Sequence, residues 1–146
     1  MDFSNYNWME NLSIGNPDID YDHKKVLEII NDLVDLIENK RSRVEFARIL
    51  SKMTDYSLTH FKHEENYMLD LGFPQLNAHR KHHLNYVYKV SMYNHNSAGN
   101  NPPDPSEVVS FLKNWWENHI LKEDSLYEIY RKESNAQAKY IKLTYS

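Results

Sequence analysis

Apolar residues recur at three- and four-residue steps in four separate stretches of the chain, the period of helices with one buried face. The first stripe is Val26, Leu27, Ile30, Leu33, Val34 and Ile37, with His23 at its head. Asp20 is the expected N-cap, and Asp22 would place negative charge in the first turn. The polar run from Asn39 to Arg43 separates this stripe from a second, formed by Phe46, Leu50, Met53, Ser57, His60, Glu64, Tyr67, Met68 and Leu71. Gly72 and Pro74 end it, because glycine takes the left-handed C′ conformation and proline cannot continue a helix. Leu76, His79, His83, Tyr86, Val87 and Val90 make the third stripe, which dissolves into a loop from Asn94 to Pro105. The sequence Asp104-Pro105-Ser106-Glu107 reads as a capping box with proline at the first helical position. It opens the fourth stripe, Val108, Leu112, Trp115, Trp116, His119, Ile120, Tyr127 and Tyr130.

Short first and second connections force neighbouring helices to run antiparallel. The predicted fold is therefore all-α, an up-down-up-down antiparallel four-helix bundle over residues 20–131, in a single domain spanning 1–146. Residues 1–19, with Trp8, Leu12, Ile14 and Ile19, read as an extended N-terminal arm packing over the bundle. Residues 132–146 form a C-terminal extension that the pattern leaves unplaced.

Composition narrows the chemistry. Lys and Arg number 17 against 21 Asp and Glu, a net charge of −4 that offers no electrostatic footprint for nucleic acid or an anionic membrane. The apolar runs are too short to span a bilayer, and the first residues lack the basic and apolar regions of a secretory leader. Cysteine is absent, which excludes disulfides, thiolate metal sites and cysteine nucleophiles. The expected compartment is the cytoplasm. Only three glycines suit long helices, whereas eight histidines are many.

The histidines matter because of where they fall. His23, His60, Glu64, His79, His83 and His119 all lie on apolar stripes, and they come from all four predicted helices. Burying one imidazole bonded to a carbonyl is ordinary. Burying five beside a carboxylate costs several kcal/mol each, by order of magnitude, unless something compensates them together, and a metal does so. His60 and Glu64 are four apart and share a helix face, as do His79 and His83. On the fourth helix spacing leaves two acids open: Glu123 is at i+4 from His119, while Asp124, at i+5, lies about 140° round an ideal helix.

The ordered set His23, His60-x-x-x-Glu64, His79-x-x-x-His83 and His119-x-x-x-x-Asp124 resembles the hemerythrin family, and in particular its bacterial members. The stretch from Ile14 to Lys24, the run His60-Phe61-Lys62-His63-Glu64-Glu65, Trp8 and Asn118-His119-Ile120 are similar to the family as well. The resemblance covers about Trp8 to Tyr130. It implies Asp124 rather than Glu123 as the second carboxylate, and two iron ions bridged by Glu64, Asp124 and an oxo or hydroxo group. It further implies His79, His83 and His119 on a filled iron, with His23 and His60 on one that keeps an open position. Reversible binding of dioxygen follows as the expected function, in a carrier rather than an enzyme. Phe61, Trp115, Trp116 and Ile120 adjoin these ligands and are expected to line an apolar oxygen pocket, although core packing is the plainer role of each. Relatives often carry leucine where this chain has Trp116, so the bulkier indole bears on ligand access.

Two other functions fit the same composition. Ferritin-like di-iron enzymes use Glu-x-x-His pairs, and this chain has none; weak peroxidase or nitric-oxide chemistry remains an alternative. An oxygen or redox sensor acting through a partner protein is the other. His63, His82 and His95 fall off the buried stripes and are expected to face solvent.

Overall fold

A computed structural model describes residues 12–145 of the chain. Its helices are α1 (Pro17–Glu38), α2 (Arg43–Leu71), α3 (Leu76–Ser97), α4 (Pro105–Asn118) and α5 (Ser125–Tyr145), with a π-helical turn His119–Asp124 joining α4 to α5. The last three pieces form the fourth rod of a four-helix bundle. Within it α1 packs on α2 and on α4, and α2 packs on α3.

Most helix ends lie where local chemistry puts them. Ser42 Oγ accepts the Glu45 N–H at 3.2 Å to start α2, and Asp104 Oδ1 accepts the Ser106 N–H at 3.0 Å to start α4. Gly72, at φ 73°, closes α2 in the left-handed conformation. The start of α1 differs from expectation. Its N-cap is Asn16, whose side chain accepts the Ile19 N–H, and not Asp20. Pro17 decides this: it has no N–H to orphan and its fixed φ suits the first helical position. Asp20 is thereby drawn into the first turn, where its carboxylate accepts from Ser13 Oγ and from the Ile14 N–H.

Leu12 and Ile14 of the expected arm are buried, whereas Trp8 lies outside the described residues. At the other end the chain does not leave the fourth rod, since residues 132–145 continue α5 as helix. The core is a continuous apolar cluster that includes Val26, Ile30, Leu33, Leu50, Met53, Met68, Val90, Leu112, Trp116 and Tyr127. Among the described residues no helix is long and apolar enough to cross a membrane.

Candidate metal centre

Into this core each rod sends polar side chains. α1 supplies His23, α2 supplies His60 and Glu64, and α3 supplies His79 and His83. The π-helical turn supplies His119 and Asp124. All seven are at most 3% exposed. Their ligand atoms form two overlapping groups, one of Glu64, His79, His83, His119 and Asp124, the other of His23, His60, Glu64 and Asp124. Within each group the atoms lie within 4.8 Å of one another, and the two carboxylates belong to both.

The π turn resolves the choice between Glu123 and Asp124. A turn closed by i→i+5 bonds sets residues five apart on one face, so Asp124 lies beside His119, its Oδ1 2.9 Å from His119 Nε2. Glu123 is turned outward and half-buried, with Oε1 3.5 Å from Nε2 of the exposed His82. His63 and His95 are also exposed.

Hydrogen bonding among the seven cannot account for their convergence. An imidazole Nε2 offers one hydrogen or one lone pair, yet His79 Nε2 lies within 3.1 Å of Glu64 Oε1, Asp124 Oδ1 and His119 Nε2. His83 Nε2 is likewise 3.1 Å from His119 Nε2 and 3.2 Å from Glu64 Oε1. On the other side, His23 Nε2 stands 2.9 Å from Asp124 Oδ2 and His60 Nε2 2.8 Å from Glu64 Oε2, all four atoms fully buried and neither pair aligned as a good hydrogen bond. Both patterns fit cations. Adjacent octahedral ligands at roughly 2.1 Å from a metal are about 3.0 Å from each other, close to the nitrogen separations found here. Imidazole and carboxylate without thiolate also suit iron, zinc or manganese.

A second set of acids orients the imidazoles. His60 Nδ1–H donates to Asp22 at 2.9 Å, and the same carboxylate accepts from Tyr56 at 3.3 Å. His83 Nδ1–H donates to Glu65 at 2.8 Å, and Glu65 also accepts from Arg80 at 3.1 Å. With Nδ1 committed as the donor, each Nε2 faces inward, where its lone pair is the one a metal would take in place of a proton. The orienting roles of Asp22 and Glu65 escaped the sequence reading because each residue sits at the edge of its stripe. Their signal was adjacency to an inward ligand, one position before His23 and one after Glu64.

The electrostatics are those of a cation site. Burial opposes charge on Glu64, but hydrogen bonds from His119, His60, His79 and His83 hold it well below the ordinary carboxylate range. Burial likewise opposes charge on His60, yet Asp22 and Glu64 lift it to about 10; against the same cost Asp124 and Glu64 lift His79 to about 10. The hydrogen bond from His60 lowers Asp22, outweighing its burial. Positive charge is favoured at the centre, and protons and a metal compete for the same lone pairs.

Aromatic rings cover one side. Phe61 stacks on His83 with centroids 3.9 Å apart, and Trp115 stacks on His119 at 4.3 Å. The Trp116 ring lies 5.9 Å from His60 and 6.4 Å from both His23 and His119. Phe61, Trp116 and Ile120 are buried, while Trp115 is half-buried.

A bundle whose centre gathers five imidazoles about two shared carboxylates is a cation-binding protein. Comparison with known proteins says which kind. Residues 15–128 match the family described as the hemerythrin HHE cation binding domain. The chain is 35% identical over 121 residues to a bacteriohemerythrin of Pseudomonas aeruginosa, covering 82% of this chain and 77% of that protein. It is 27% identical over 124 residues to the bacteriohemerythrin of Clostridium acetobutylicum, covering 82% and 96%. A crystal structure of wild-type hemerythrin superposes with a TM-score of 0.80 at 25% identity, covering 86% of this chain and 96% of that one. The chain belongs to the hemerythrin family. Family and fold together support a di-iron protein of the oxygen-binding type.

Proposed function

We propose that the protein binds dioxygen reversibly, as a carrier and not as an enzyme, at two iron ions held jointly by Glu64 and Asp124. His79, His83 and His119 would complete one ion's protein ligands, and His23 and His60 the other's. The observation that carries this reading is the inequality of the two overlapping groups. One offers three imidazoles with the shared carboxylates, the other only two, so an ion held by the second would keep more room for an external ligand. Two ferrous ions would supply the two electrons that dioxygen takes up on binding and would regain them when it leaves.

The remaining work falls to the chain's own residues. Asp22 and Glu65 keep Nδ1 of His60 and His83 protonated and the rings in place. Trp116, against His23 and His60, and Phe61, stacked on its indole, would exclude water from the two-histidine side, where water or acid would favour loss of the ligand and leave oxidised iron. The absence of Glu-x-x-His pairs leaves few anionic ligands, which disfavours oxygenase chemistry.

The deciding experiment loads the chain with ferrous iron without air, measures iron per chain, and follows the visible spectrum through cycles of air and inert gas. Two iron ions per chain and a charge-transfer band that appears with oxygen and disappears on its removal are expected. An unchanged spectrum, or a band that never reverses, would overturn the proposal.

A further inference from the structure

A line of buried hydroxyls runs through the core beside the centre, and none of them belongs to the proposed ligand set. Ser57 Oγ donates to the Met53 carbonyl at 2.7 Å. Tyr86 and Ser57 are 2.9 Å apart at their oxygens, and Trp116 Nε1–H donates to the Tyr86 oxygen at 3.1 Å. Each hydroxyl has one hydrogen. Since that of Ser57 is committed to the carbonyl, Tyr86 O–H must donate to Ser57. The line therefore has one direction, from the indole through the phenol and the serine to the backbone of α2. Ser57 and Trp116 are fully buried and Tyr86 is 1% exposed.

Polar groups in an apolar core cost free energy unless all are bonded, and this line satisfies every donor in it. An apolar trio would pack as well. What the hydroxyls add is direction: the bond to Tyr86 pins one edge of the Trp116 indole. Phe61 stacks on that indole at 5.5 Å with 21° between the planes, restraining its face. The ring so held stands against His23 and His60, the half proposed to keep room for an external ligand.

We infer that Tyr86 and Ser57 are positioning residues which hold Trp116 as a steric filter over the two-histidine half, admitting small ligands and slowing larger ones. The inference rests on the di-iron reading for its ligand measurements and on the hydrogen-bonded line alone for the hold on the indole. Tyr86→Phe keeps the ring and removes the acceptor; Ser57→Ala breaks the next link without touching a ring; Trp116→Leu removes the filter.

In the iron-loaded full chain, hydrogen exchange of the Trp116 indole N–H and the association rates of azide and the bulkier thiocyanate would be compared. Tyr86→Phe is expected to speed indole exchange at least about tenfold, the scale of one lost buried hydrogen bond. It should also shrink the azide-to-thiocyanate rate ratio by a similar factor, Ser57→Ala less so, and Trp116→Leu most of all. A change in overall stability alone would not move that ratio. Unchanged exchange in both hydroxyl variants would overturn the hold, and an unchanged ratio in all three would overturn the filter. A wild-type protein that binds iron but neither anion would sink the di-iron reading instead, with indole exchange still judging the hold.

Discussion

Two carboxylates show how differently acids are used in one core. Asp22 keeps a His60 proton in place, and such orienting partners are typically worth 10- to 100-fold in metal affinity. Asp22→Ala is therefore expected to weaken one of two metal equivalents by about that factor and to spare the other, as a two-step chelator titration would resolve. Glu128 has a structural role. It is 2% exposed and accepts from Asn16, Tyr67 and Arg131, which ties the α1 start and α2 to α5. Burial opposes its charge, but these donors hold its carboxyl below the ordinary value of 4.5. A carboxyl depressed in the folded state stabilises above its unfolded pKa, and that stability is lost as pH falls through its folded value. Glu128→Gln should cost roughly 1–3 kcal/mol at pH 7. Between neutral pH and pH 3 the variant should then lose less further stability than the wild type, measured by urea unfolding at each pH.

Among the elements, the π-helical turn does the most for the site. An α-helical continuation of α4 would carry Glu123 toward His119 and swing Asp124 away. The extra residue in the turn reverses that choice, while α5 continues the rod. Asp124→Ala is thus expected to abolish retention of two metal ions through gel filtration. Glu123→Ala should leave both bound. Equal loss in the two variants would contradict the role given to the turn. The start of α1 shows a smaller case of the same kind, in which Pro17 at the first helical position outweighed the capping propensity of Asp20 three residues later.

At the scale of the whole molecule, the seven inward groups tie metal binding to folding. All four rods contribute, so a ligand that binds only the folded state stabilises the bundle as a unit; at a thousandfold excess over its dissociation constant that amounts to about 4 kcal/mol. Exhaustive chelation should lower the melting temperature by roughly 10 °C or more, at about 2–4 °C per kcal/mol for a chain this long. Loading should in turn release protons, because His60 and His79 are held at about 10 and are protonated at pH 7 when no metal competes. Metal affinity is then expected to rise from pH 6 to pH 9. A chelated protein as stable as the loaded one, or an affinity that does not depend on pH, would contradict this coupling.

The four stripes, the helix stop at Gly72, the helix start at Asp104 and six of the seven inward polar positions were legible along the chain, because a helix turns local spacing into facing with little help from the rest of the protein. His60 with Glu64, and His79 with His83, needed only the 3.6-residue period. Three-dimensional packing was required wherever partners are distant in sequence or the period itself changes. Asp124 over Glu123 depended on a π turn that spacing does not announce. The bonds of Asp22 to His60 and of Tyr86 to Ser57 join separate helices, and the sharing of Glu64 and Asp124 between two groups arises only when all four rods meet. Local periodicity is a property of the backbone, whereas which atoms from different helices come within 3 Å depends on how the faces interlock.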